Sequence, residues 1–451
     1  MSIYRLITCT VAAYCMTIWI GFNNPVLSQS NVQTAETVSQ RIDRLERALA
    51  DTQAALSASH KNNNHISKLS DDSLQVKLRG RLEQDWLWIT GPDSLESDVG
   101  ILEDGVFFRR ARIQALGSLN EFIDYSAEFE FANVESTVFQ DVWMQMNYFG
   151  SLGKLRAGHL KVPFGLDNET SAKHLTFLER SAVHDAMQQE YDPGIMIWDT
   201  FGNQDFRYAV AYLRFDPGED GTSLGNGQHS FAARISGTPR HSEDYRRLIH
   251  LGGAIRINDG SYAPVSGAEG FRFRARPEFR NTPRFVDTGF FEADNATFLG
   301  AEAAVVLDSL SLQYEFVSAR TSDTVFPASS LIGNADFCGY YCQATYFLTG
   351  EHRPYSRSNG AFGRVVPLNP VHRLNSNGLN WGGALELKAR YSNIDLNDGS
   401  ISGGELENTS VGFNWYLTST AKVMCDYLWS RRHAATTHDS HGFAMRLYVE
   451  F

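Results

Sequence analysis

Arg272, Arg274 and Arg276 occupy every second position and alternate with Phe271, Phe273 and Ala275. Successive side chains of an extended strand point to opposite faces, so this spacing stacks three guanidinium groups on one face and apolar groups on the other. A guanidinium is permanently charged and offers several N–H donors to a tetrahedral oxyanion, and a row of weak sites passes an ion along without trapping it. The chemistry is anion binding. On the alternative reading the segment is a loop at Pro277, its arginines solvated or paired with Glu278. Arg110 and Arg112, with Gln114, make a second polar face opposite Ala111, Ile113 and Ala115. Arg109 falls on the apolar parity, so either it lies beyond the apolar belt or a bulge turns it inward. Lys161, Arg79 and Arg81 are further candidates, each as well suited to a structural role as to contact with a moving ion.

The composition agrees with this chemistry and excludes others. Among 40 basic residues only eight are Lys, so 32 are Arg, yet 52 acidic residues bring the formal net charge to -12. A nucleic-acid partner is excluded, because binding to phosphate backbones rests on excess positive charge. Hydrophobic residues make up 43% and aromatic residues 12%, which suits an all-β chain. No cofactor or metal is implied. Cys338 and Cys342 flank Gly339-Tyr340-Tyr341 closely enough for a small loop disulfide, and no further ligands stand at zinc-like spacing. Cys425 reads as a small packed residue. A hydrolase would need a nucleophile with a base; His433, His438 and His441 lie near Ser440, but in what reads as an exposed loop outside any strand pattern. The chain is therefore expected not to be an enzyme.

The elements that must hold these residues alternate with a period of two. From Leu74 to Trp88, Leu74, Val76, Leu78, Leu82, Trp86 and Trp88 share one parity, and Lys77, Arg79, Arg81, Glu83 and Asp85 share the other. The pattern returns at 123–131, 141–148 and in tracts to the chain end, where Phe443, Met445, Leu447, Val449 and Phe451 close on a terminal aromatic. Sandwiches alternate too. The charge on the wet face, the strand length and a last strand ending on Phe451 favour an antiparallel transmembrane barrel with an apolar exterior and a polar lumen. Residues 74–451 allow about 24 residues per strand and connection for about sixteen strands. Closure satisfies every backbone group in lipid, which explains a membrane protein with a mean hydropathy of only -0.29.

Residues 1–28 read as a signal peptide, with Arg5 before the apolar run Leu6–Ile20; a transmembrane anchor is the alternative. In 29–73, Val38, Ile42, Leu45, Leu49 and Leu56 follow heptad spacing before a polar linker. This is a short coiled-coil helix or a single amphipathic helix. Residues 74–451 form the barrel.

Several stretches resemble the phosphate-selective porin O and P family: LRAGHLKVPFGLDNETSAKHLTFLERS (155–181), RRAR (109–112), AARISGTP (232–239), LIHLGGAIR (248–256), FRFRARPE (271–278), YFLTGEHRPY (346–355) and GGELENTSVGFNWYL (403–417). They occur in the family's order and span 74–451. The resemblance implies a homotrimer of sixteen-stranded barrels in outer-membrane lipid, each a pore through which phosphate or other small anions diffuse. It also implies that Arg272, Arg274 and Arg276 form an arginine row, with Arg110 and Arg112 at a constriction. The chain departs from the family in having no Lys between Lys173 and Lys388, and its lumen parity carries Asp124, Glu128, Glu130 and Asp141. A general porin for acidic organic solutes and a barrel tethering the cell envelope are the rival functions.

Overall fold

The computed structural model describes residues 75–132, 137–188, 190–215, 228–260, 270–325, 332–374 and 378–451. The expected signal peptide and coiled-coil segment lie outside them. The described strands are β1 (Gln75–Thr90), β2 (Gly105–Ser118), β3 (Ile123–Glu130), β4 (Val138–Met146), β5 (Lys154–Lys161), β6 (Tyr191–Phe201), β7 (Phe206–Arg214), β8 (His229–His241) and β9 (Arg247–Asp259). Then follow β10 (Arg274–Ala275), β11 (Val286–Asp287), β12 (Asn295–Leu307), β13 (Leu310–Val325), β14 (Ile332–Phe347), β15 (Tyr355–Ser356) and β16 (Ala361–Phe362). The last are β17 (His372–Leu374), β18 (Gly378–Asn380), β19 (Ala384–Asp398), β20 (Ile401–Tyr416), β21 (Ala421–His433) and β22 (Thr437–Glu450). Sixteen of these close an antiparallel barrel in the order β1 to β9, β12, β13, β14, β19, β20, β21, β22. Pairs β10–β11, β15–β16 and β17–β18 are small hairpins between barrel strands.

The period of two is what builds the tube. On β1, Arg81, Glu83 and Asp85 are buried in the lumen, whereas Leu82 and Trp88 are each 45% exposed on the outside. The chain end seals the seam: β22 pairs with β1, and the Gly80 and Phe451 backbones exchange hydrogen bonds of 2.8 and 3.0 Å. A Cβ on Gly80 would lie 2.3 Å from the Phe451 ring, so only glycine leaves room for the terminal aromatic.

Short turns at the end where β1 begins and β22 finishes mark the periplasmic side. The exception there is the 348–383 connection, which contributes β15–β18. At the opposite end lie the long connections 162–190 and 260–294, whose described residues pack against lumenal side chains of the wall.

Two local expectations give way. Cys338 and Cys342 do not flank a loop: both lie on the outward parity of β14, opposite Ser318 and Tyr314. Four extended residues separate them by about 13 Å, well beyond disulfide reach. The histidine stretch is no loop either. Strands β21 and β22 run on to His433 and from Thr437, pairing His433 with Thr437 in a tight hairpin; cross-strand pairing with Glu407 and Asp439 extends a pattern too polar to read as strand.

Candidate functional site

The lumenal wall charges are mostly neutralised. Arg110 Nη1 donates to Glu83 at 2.7 Å and Arg112 Nε to Glu130 at 2.6 Å, and both arginines are buried. Arg446 grips Asp85 with two bonds of 2.7 Å, Arg234 pairs with Glu302, and Arg256 with Asp192. Wall cations also hold the 162–190 connection by its backbone. Lys388 donates to the Thr176 carbonyl at 2.8 Å, Arg446 to Leu178 at 2.6 Å and Arg390 to Glu179 at 3.0 Å. The connection's own amides meet wall carboxylates: Leu166 and Asp167 donate to Glu315, and Leu178 to Asp426. A buried charge persists only when paired and hydrogen-bonded. These pairs lock a chain segment across the pore.

Arg110 and Arg112 are thus fastened to the wall rather than presented to the pore. Arg109 is turned inward by a bulge: Glu83 pairs with Arg110 and Gln84 with Phe108, leaving Arg109 as the extra residue. Its guanidinium takes Glu179 in a bidentate pair of 2.6 and 2.8 Å. Burial alone would raise the Glu179 carboxyl, but Arg109, Arg110 and Arg446 hold it well below the usual carboxylate range.

Arg272, Arg274 and Arg276 do not lie on a barrel strand. Their segment belongs to the 260–294 connection and pairs with β11 and, at Phe271, with Phe291 of the same connection. The alternation is real but its apolar face meets the inside of the barrel: Phe273 packs edge-on against Phe298 and Phe337, lumenal residues of β12 and β14. The opposite face is turned away from the wall: Arg272 and Arg274 are exposed and Arg276 is half-buried. Arg272 is compensated, pairing with Asp287 at 2.8 Å, and Arg284 pairs with Asp185 at 2.5 Å. Arg274, Arg276 and Arg280 have no carboxylate within ion-pair distance among the described residues; Arg276 Nε donates only to the Thr282 carbonyl at 2.9 Å. The balance of charge shows in their titration. Hydrogen bonding to Asp287 raises Arg272. Burial, then repulsion from Arg284, pushes Arg276 down to about 10; burial and Arg109 lower Arg280, and burial and Arg284 lower Arg274.

Between the two inward connections lies a cavity of about 280 Å³, with Arg109, Arg180, Arg276 and Arg280 facing Glu179, Asp185, Glu190 and Glu278. On the periplasmic side a second, of about 420 Å³, brings Arg79, Arg81, Arg156, Lys161, Arg207 and Arg364 together with the carboxylates of Glu128, Asp141, Glu169 and Glu450. Lys161 there donates to the Asn168 carbonyl at 2.7 Å, and Arg81 meets Glu83 and Glu128 only at 3.7 Å each. The candidate residues therefore divide between two cavities, the wall and, for Arg272 and Arg274, the exposed face of the 260–294 connection. Arg280 and Arg284 were not among them, although the run of arginines visibly continues past Pro277. The holding roles of Arg390, Arg446, Glu179 and Glu278 carried no signal in spacing.

The phosphate-selective porin O and P family model matches residues 76–451. The chain belongs to that family. It is 24% identical over 424 residues to Porin O of Pseudomonas aeruginosa, covering 85% of this chain and 90% of that protein. An uncharacterised protein of Caulobacter vibrioides is 26% identical over 359 residues, 75% of this chain and 65% of the other. Among solved structures, the DcaP channel of Acinetobacter baumannii superposes with a TM-score of 0.52 at 10% identity, over 85% of this chain and 99% of that one. An anion-selective porin from Comamonas acidovorans gives 0.50 at 11%, over 83% and 100%. With the closed sixteen-strand barrel, family membership makes this an outer-membrane porin, a diffusion channel whose lumen the two connections narrow.

Proposed function

We propose that this porin passively admits small oxyanions of the phosphate class, drawn to Arg274, Arg276 and Arg280. The observation that carries the reading is that, among the described residues, they lack carboxylate partners on the exposed face of an inward connection, whereas the arginines of the wall are neutralised. Excess positive charge in a narrow, low-dielectric passage favours anions even in a chain of net charge -12, because local sign along the pore governs selectivity. The family's description supports the same substrate. Conduction needs no chemical step, so no catalytic residue is assigned. Arg79, Arg81 and Lys161 would receive the ion on the periplasmic side, and the working unit is a homotrimer, as the resemblance implies.

Reconstitution in planar bilayers tests this. Under a salt gradient the reversal potential takes the sign of anion preference, and millimolar phosphate reduces the chloride current. Cation preference would overturn the reading. Anion preference without phosphate block would favour a general pore for acidic organic solutes.

A further inference from the structure

The arginine row has to be held in place by something outside itself, since β10 comprises only Arg274 and Ala275. Glu278, two residues beyond Arg276 and two before Arg280, is buried and lies at the junction of three elements. Its Oε2 accepts Arg390 Nε at 3.0 Å and Nη2 at 2.5 Å from β19. Its Oε1 accepts Ser392 Oγ at 2.5 Å, also from β19, and the Ala182 backbone amide at 3.0 Å, from the 162–190 connection. Ser410 Oγ of β20 approaches Oε2 at 3.4 Å. One carboxylate thus ties the row's own segment to the wall and to the other inward connection.

The backbone agrees. Glu278 has φ 56° and Asn281 φ 63°, in the left-handed region that non-glycine residues seldom adopt. Such a conformation persists where surrounding bonds over-determine it, and Glu278 is the residue with the bonds to do so. The next residue, Phe279, is buried and packs over Gly442, where a Cβ would come within 2.7 Å of its ring. The turn that separates Arg276 from Arg280 is therefore pinned by the Glu278 carboxylate and the Phe279 ring.

We infer that Glu278 is a positioning residue for selectivity: without touching the ion, it sets the spacing of Arg276 and Arg280 and so the strength of the oxyanion site. The inference rests on the proposed oxyanion reading. It makes a prediction opposite in sign to simple electrostatics. Glu278→Gln removes one negative charge next to the pore and leaves Arg390 uncompensated, so charge alone predicts tighter phosphate binding. Positioning predicts weaker binding, because the neutral amide cannot hold the guanidinium of Arg390 as firmly.

The test is phosphate block of chloride current in bilayers for the full-length wild-type and E278Q porins, with barrel assembly checked by heat-modifiable migration on gels. The half-blocking phosphate concentration should rise about tenfold in E278Q, with chloride conductance within about twofold of wild type. Unchanged or tighter block in E278Q would overturn the inference. If wild type itself shows no phosphate block, the functional reading fails instead. Should E278Q not assemble, Ser392→Ala keeps the ion pair and removes one donor; it should weaken block about threefold, and unaltered block there is equally fatal.

Discussion

The barrel wall and the 260–294 connection are both rich in arginine, yet they use it in opposite ways. On the wall, Arg110, Arg112, Arg234, Arg256 and Arg446 are buried and paired with carboxylates, and Arg446 also clamps the Leu178 carbonyl of the 162–190 connection. On the connection, Arg274, Arg276 and Arg280 lack such partners among the described residues. A guanidinium on the lumenal parity is therefore not by itself an ion site. Compensation decides whether it holds the protein together or attracts a solute.

The comparison breaks most visibly at Arg446. Arg446→Gln leaves Asp85 without its buried partner, removes one of the two arginines that bond Glu179 and frees the Leu178 carbonyl, so the folded barrel should lose about 3–5 kcal/mol. Denaturant titration in detergent micelles, followed by the gel shift of the folded form, measures this; a wild-type midpoint would show that wall pairs do not anchor the fold. Replacing Arg274, Arg276 and Arg280 together by Gln should do the reverse. The denaturation midpoint should hold, while the anion-to-cation permeability ratio falls about tenfold or more, read from reversal potentials. Retained selectivity would return the role to the wall. The smallest effect sharpens the contrast: Asp287→Asn releases Arg272 from its pair and should tighten phosphate block about twofold, and weaker block would mean that the pair is needed to shape the row.

Alternation identified the barrel because each strand must serve lipid and lumen at once, and that demand is written residue by residue. It also identified the arginine row as a two-faced extended segment. What alternation could not show was which surface the apolar face meets. Phe271 and Phe273 read as lipid-facing, whereas both are buried, Phe273 against Phe298 and Phe337 inside the tube and Phe271 stacked on Phe273. A trace of this was present: the lumenal parity of β12 carries Ala296 and Phe298 ahead of Glu302, an apolar patch that a water-filled pore would not keep bare. The inward turn of Arg109 was one of two readings and was resolved by a single extra residue opposite Glu83. The hairpin at His433 was hidden because its pairs are polar on both faces.

Sequence alone determined the tube, its closure on Phe451 and the chemistry available inside it, since these depend on side-chain period and residue type, which are local. Only the tertiary structure decided which guanidinium groups are spent on carboxylates and carbonyls and which stay open to the pore. The partners of Arg390 and Arg446 are more than 100 and 260 residues away along the chain, and no spacing rule carries charge pairing over that distance.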